Sequence, residues 1–256
     1  MNVLRVIGSG SLRFVSDVGS FSILVGRIFK SLPLFVKRIH LTTEQMLMMG
    51  VASLPLVVFT SLFTGAVSAV QAAYQFRNIV PLSYLGGAVG KAVVIELGPV
   101  LTALVIAGRV GAAIAAELGT MKVTEQIDAL ETMAIDPVKF LAVPRFVSGL
   151  VMLPVLTIFA DFIAIMGGLF VAVFFLDLNV YTFLNSLKRF FDIFDMFGGL
   201  IKAVIFGGII STVGCFHGFR TSGGAEGVGI STTRSVVYSS VLILIADYLV
   251  AHILFG

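Results

Sequence analysis

The chain of 256 residues has no tryptophan, one cysteine, three histidines, and charge on only 12% of its positions. A soluble domain carries roughly 25% charged residues. Half that amount cannot cover the surface of a water-soluble globule. The lone Cys215 excludes an internal disulfide and a cysteine-based zinc site. His40, His217 and His252 are isolated and read as interface or packing residues. Catalytic signatures are also missing: there is no Gly-x-Ser-x-Gly elbow and no His-Glu-x-x-His. The run from Gly86 to Ala92 imitates a phosphate loop, but it is one residue short and puts Ala92 where a magnesium-binding Ser or Thr is required. Gly227-Val-Gly229 lacks the later glycine of a dinucleotide loop. The chain therefore shows no cofactor site and no energy source of its own. Any active work is driven by a partner or by an ion gradient.

What is abundant is apolar surface. Hydrophobic residues make up 58%, 23 of the residues are Phe, and the mean hydropathy is +1.07. Together these predict an all-α integral membrane protein. The net charge of +3 is too small to point to nucleic acid. The first forty residues do not read as a signal peptide, because Arg5, Arg13, Arg27, Lys30, Lys37 and Arg38 interrupt any apolar run; residues 1–44 read as an N-terminal cytoplasmic or interfacial segment. Leu12, Val15, Val18, Ile23 and Phe29 among polar neighbours predict an amphipathic helix in the membrane interface. The alternative is a short cytosolic arm.

A helix needs ~20 apolar residues to cross the hydrocarbon core. On that measure residues 45–256 hold five spans, near 47–69, 90–114, 146–175, 200–219 and 236–255. The odd number and the missing internal repeat weigh against an inverted-repeat transporter. Pro55, Pro99 and Pro154 fall within spans and predict kinks or tight packing. Gly86/Gly90, Gly108/Ala112/Ala116 and Gly214/Gly218 have helix-packing spacing. Bases set the orientation. Six N-terminal bases with Lys122, Lys139, Arg145, Arg220 and Arg234 fall on one side, against Arg77, Lys91, Lys188 and Arg189 on the other. This predicts the N-terminus inside and the C-terminus outside.

Two polar segments lie on the predicted inner side. In residues 116–145, Val123, Ile127, Leu130 and Ala134 draw one apolar stripe along a helix that Pro137 ends. The stripe packs either on the chain's own span ends or in a separate cytosolic protein, and periodicity alone does not choose. Residues 216–235 hold five glycines and read as a connector or a gate element, with Ser231 to Thr233 capping span five. Glu96, Arg109, Asp161, Lys202 and Asp247 fall within or near spans. Such charges face a bundle interior or a wet cavity, and the alternative to a functional site is structural pairing between helices, for example an Asp with Lys202. Glu96 and Arg109 are thirteen residues apart and do not share a helix face. Glu96, just before Pro99, is the preferred cavity residue, whereas Arg109 reads as a residue that snorkels toward the interface.

The runs Glu96-Leu-Gly-Pro99, Ala107-Gly-Arg-Val-Gly-Ala112, Ala116-Glu-Leu-Gly119, Thr124-Glu-Gln-Ile-Asp-Ala-Leu-Glu131, Asp136-Pro137, Pro144-Arg145 and Thr232-Thr-Arg-Ser-Val-Val-Tyr-Ser-Ser240 resemble the MlaE-type permease family. That family includes bacterial Mla, Mce-system and plastid lipid-import permeases. The resemblance covers nearly the whole chain. It implies the membrane subunit of an ATP-binding-cassette phospholipid transporter in the bacterial inner membrane, working as a homodimer. ATP and magnesium would sit on separate cytosolic ATPase subunits, and an MCE-domain protein on the outer face. It implies a coupling helix near 120–136, with Glu125, Gln126, Asp128, Leu130 and Glu131 meeting the ATPase. It implies a lipid cavity lined by Ser68, Gln71, Gln75, Phe76, Ile79 and Glu96. Some relatives carry a base immediately before that Glu; here Ile95 stands there, leaving Arg77 or Lys91 as substitutes. The outer loop, about 177–196, would hold short interfacial helices. Two other functions compete with this one: an ion-coupled secondary transporter using Glu96, Asp161 and Asp247, and a passive scaffold.

Overall fold

The computed structural model describes residues 3–33, 39–77 and 79–256. Lys37 and Arg38 lie outside the described residues, as do the side chains of Arg5, Leu12 and Arg13. Among the described residues every regular element is a helix, and five helices are long and apolar enough to cross a membrane. The chain is an all-α membrane protein.

The N-terminal expectation becomes one helix, α1 (Val3–Ser31), followed by α2 (Ile39–Met49). The boundary placed at residue 44 therefore falls inside α2. On α1, Leu24, Ile28 and Ser31 repeat at helical spacing and are buried, while Val15, Val18, Ile23 and Phe29 are exposed. Asp17 ties α1 to Arg220 at 2.7 Å, and Phe21 meets Phe216 edge-on at 5.4 Å.

Span one is α3 (Leu54–Phe76). Pro55 sits in its first turn, where no helical N–H is needed, so it starts this helix instead of kinking it. Span two is composite: α4 (Leu85–Ala92), a π-helical turn Val93–Leu97, α5 (Gly98–Ile106), a second π turn Ala107–Gly111, and α6 (Ala112–Val123). Pro99 opens α5 and does not interrupt a regular helix. The false phosphate loop is helical, and its glycines pack against α9 (Val180–Phe190). A Cβ on Gly86 would strike the Phe183 carbonyl.

After α6 comes α7 (Gln126–Thr132), then a π turn Val138–Ala142 that runs into α8 (Val143–Phe175). Two sequence expectations fail here. The helix does not run unbroken from 120 to 136, because Glu125 adopts φ 61° and breaks it. Pro137 does not end it either: Ala134, at φ 59°, does. The Ile135 N–H donates to Leu130 and the Ala134 N–H to Glu131, which closes the turn as a Schellman motif. Pro137 instead stands at the start of the span-three helix, where its fixed φ suits helix entry.

Span four is α10 (Ile193–Phe219) and span five is α11 (Gly224–Phe255). The glycine-rich segment is mostly helix. Only residues 220–223 connect the spans, and α11 begins after Gly223 at φ 89°. Ser231 to Thr233 therefore lie inside α11 and cap nothing. Burial of this segment explains the difference: Ser231 and Ser235 face the bundle, and Ser235 Oγ donates to the Gly111 carbonyl at 3.0 Å.

Small residues set the crossings. A Cβ on Gly65 would enter the Ala164 carbonyl of α8, and Gly149 and Gly207 each press on the other's backbone where α8 crosses α10. Gly214 and Gly218 meet Ile114 and Leu118 of α6. Gly108 does not belong to this set: nothing lies within 4 Å of its open face.

Candidate functional site: an intramembrane charge cluster, a polar helix face and an acidic turn

Glu96 lies in the first π turn of span two. A π turn adds a residue, rotates the following side chains and recurs at functional sites. Here it aims Glu96 at span four. Lys202 Nζ donates to Glu96 Oε1 at 2.6 Å and pairs with Asp247 Oδ1 of span five at 2.9 Å. The Asp247 contact is an ion pair without hydrogen-bond geometry, so the Glu96 contact is the stronger of the two. Lys202 is fully buried, whereas 43% of the Glu96 side chain stays exposed. The triad joins three spans and carries a net charge of −1. In a low-dielectric setting an ammonium needs such company. Sequence reading offered an Asp with Lys202 as an example of pairing, as Asp247 now shows, but gave Glu96 no partner; Lys202 and Asp247 stand 106 and 151 positions from it.

The other intramembrane charges go to different places. Arg109, in the second π turn, does not simply snorkel. Its guanidinium donates to Ser53 Oγ at 2.5 Å and to the Met48 carbonyl at 3.4 Å, in the break between α2 and α3. Asp161 makes no ion pair among the described residues; its Oδ1 is buried against Gly98, where a Cβ would collide with it. Arg145 is buried, donates to the Leu141 carbonyl at 2.9 Å and pairs with Glu117 at 2.8 Å. Of the two bases considered for Ile95's place, Lys91 is held by Asp195 at 2.9 Å, and Arg77 is exposed at the end of α3.

Of the residues expected to line a cavity, Ser68, Gln71 and Gln75 share a face of α3. They continue a series begun by Thr60 and Thr64, with spacings of 4, 4, 3 and 4. Thr60, Thr64 and Ser68 return their hydroxyl hydrogens to carbonyls four residues back. Gln71 and Gln75 are exposed, with no hydrogen bond among the described residues. Phe76 is half-buried and Ile79 is 81% exposed. Glu96 is on span two, tied away toward spans four and five. Thr60 and Thr64 escaped the sequence reading, although their place in an uncharged span at helical spacing was the available signal.

On α7, Ile127 is buried in the main core and Leu130 is half-buried beside it. The apolar stripe thus packs on the chain's own span ends. Glu125, Gln126, Asp128 and Glu131 are exposed; Lys122 reaches Asp128 at 2.6 Å, and Glu131 makes no ion pair among the described residues. Left-handed residues on both flanks fix the angle at which α7 leaves the bundle. The segment between spans three and four holds one amphipathic helix, α9, capped by Asn179, which accepts from the Tyr181 N–H at 2.8 Å. Asp192 accepts from the Phe194 N–H at 2.9 Å and so caps α10.

The family model described as Permease MlaE matches residues 42–253. A protein of Rickettsia typhi named a probable ABC transporter permease is 40% identical over 259 residues, covering 100% of this chain and 98% of that protein. The intermembrane phospholipid transport system permease MlaE of Haemophilus influenzae is 34% identical over 264 residues, covering 100% and 98%. The chloroplastic protein trigalactosyldiacylglycerol 1 of Arabidopsis thaliana is 35% identical over 214 residues, covering 84% of this chain and 61% of that protein.

Proposed function

The chain belongs to the MlaE permease family of ABC transporters, and from that premise we propose that it moves phospholipid through an outward-facing cavity at the centre of a homodimer. At family level it is a lipid-transport permease, a membrane subunit that works with an ATPase partner. The finer reading places the N-terminus inside, the C-terminus outside and an MCE-domain protein over the outer mouth, in a bacterial inner membrane. Two ATPase subunits close on ATP and push both α7 turns, and the spans rock to admit or release acyl chains.

One observation carries this reading: the polar face of α3. A helix side facing hydrocarbon is not expected to carry two glutamines without partners, since unsatisfied amides in lipid are costly. A second copy or a wet cavity answers them. The neighbouring Phe59, Phe63 and Val67 are exposed and apolar, which suits acyl chains. Replacing Gln71 and Gln75 together by Leu is expected to leave folding intact and to slow lipid transfer by about tenfold, a barrier change of about 1.4 kcal/mol. Transfer between vesicles containing the whole complex measures it, and an undiminished rate would remove the cavity from this face.

Coupling is tested separately. Glu131→Lys is the cleaner variant, because Asp128→Lys would also set two cations together by displacing the Lys122 contact. Recovery of the ATPase in a pull-down should fall several-fold with unchanged expression of the permease. Equal recovery would move the docking surface off α7. The ion-coupled alternative is less well supported, because Glu96 and Asp247 are committed to Lys202.

A further inference from the structure

Between α1, α7 and the adjoining ends of α8 and α10 lies an open cavity of about 1040 Å³. Its floor is apolar, made of Leu24, Ile127, Phe216 and Phe219. Its rim is cationic. Lys122, Lys139 and Arg220 on this rim are already held by Asp128, Asp136 and Asp17, at 2.6, 3.4 and 2.7 Å. Arg27 and Lys30 are different: both are exposed and neither makes an ion pair among the described residues. All fourteen acids of the chain are described, so no carboxylate elsewhere answers them. Glu131 also reaches the rim and leaves the balance positive.

The two faces of α1 supply the rest of the argument. At ~100° per residue, Val15, Val18 and Phe29 fall within about 60° of one another, and Arg27 and Lys30 lie about 160° and about 100° from Phe29. The exposed Ile23 falls between the two bases, so the apolar edge of the helix runs up to the cations that line the cavity, as on a helix lying at a membrane surface. A cavity with an apolar floor and two free bases at its rim matches a headgroup with the upper part of its chains.

We propose that this cavity binds a phosphate-bearing anion, the headgroup of an anionic phospholipid, with Arg27 and Lys30 as its contacts. The lipid is then not cargo in the central path but a bound component that joins α1 to the coupling turn. Only the leaflet it comes from rests on the cytoplasmic placement of α7 proposed above; the binding itself does not.

Because the chain has no tryptophan, Ser20→Trp places a single fluorophore on the cavity wall, and Phe219→Trp serves as a second reporter. The full chain is reconstituted in phosphatidylcholine nanodiscs, open on both faces and without ATPase. Phosphatidylglycerol or phosphatidylcholine, each brominated on its chains, is then titrated in over the same range of mole fractions. Brominated phosphatidylglycerol should quench at a mole fraction on the order of tenfold lower, given two basic contacts. Arg27→Ala with Lys30→Ala should abolish the preference, and the charge-keeping Arg27→Lys with Lys30→Arg should retain it. Inorganic phosphate at matched ionic strength should not relieve the quenching. Equal quenching by the two lipids would overturn the proposal, as would a preference that survives the double alanine variant. Relief by inorganic phosphate would replace the lipid with a soluble anion, and absence of quenching by either lipid would leave the cavity to a protein partner. Either result also overturns it.

Discussion

Lys202→Met is expected to lower the stability of the full chain by about 3–5 kcal/mol and to abolish lipid transfer. The methionine fills most of the space but strands Glu96 and Asp247, two carboxylates that the ammonium had held at 2.6 and 2.9 Å. Removing one member of a buried ion group is costly because the remainder is left uncompensated. The lower end of the range applies, since Glu96 keeps 43% of its side chain exposed and draws some solvation. SDS-induced unfolding of the detergent-solubilised protein gives the free-energy difference. The triple variant Lys202→Met, Glu96→Gln, Asp247→Asn separates structure from function. Without charge the site should recover most of the stability, and transfer should stay absent if the charges respond to lipid or to rocking of the spans. A single variant as stable as the wild type would show that the three residues do not act as a unit.

The triad also marks how far the sequence could be read. Composition and apolar run length made the five spans legible, because a bilayer imposes one length and one chemistry on every crossing. The charges inside the spans were legible as exceptions. Their partners were not: pairing among spans two, four and five depends on how helices rotate about one another, and the π turn at Val93–Leu97 shifts that rotation by an amount no regular period carries. Local strain was hidden in the same way. Glu125 and Ala134 hold left-handed conformations without being glycine, so nothing in their identity announced the break before α7 or its early end. The reverse held at 223–229, where glycines suggested a loop; the segment is a largely exposed helical first turn whose only buried glycine, Gly227, packs on the Ser222 backbone. On the polar face of α3, the helical spacing of Ser68, Gln71 and Gln75 was present in the sequence, but the exposure that gives it meaning needed the fold.

Gly149→Val should be as damaging as the loss of Lys202, for a different reason. Where α8 crosses α10, a Cβ on Gly149 would meet the Gly207 carbonyl at 2.6 Å, and a Cβ on Gly207 would strike the Gly149 carbonyl in return. On the Gly149 side the Ser211 hydroxyl lies nearer still and can turn aside, but the backbone carbonyl of Gly207, like that of Gly149 on the other side, cannot. Without a hydrophobic drive between helices in lipid, contact at small residues is the main attraction to be lost. Overpacking costs typically about 1–3 kcal/mol and occasionally more; with main chain against main chain the upper end applies. Gly149→Val and Gly207→Val should each lower the folding equilibrium constant by about a hundredfold, as about 1.4 kcal/mol per tenfold requires. Gly108→Val provides the control, since nothing lies within 4 Å of that face and its stability should stay within about 0.5 kcal/mol of wild type. If the variants at Gly149 and Gly108 behaved alike, helix propensity and not the crossing would be the cause. The crossing also positions function: α10 carries Lys202 a short way along from Gly207, so a wedge between α8 and α10 displaces the one cation that spans two and five share.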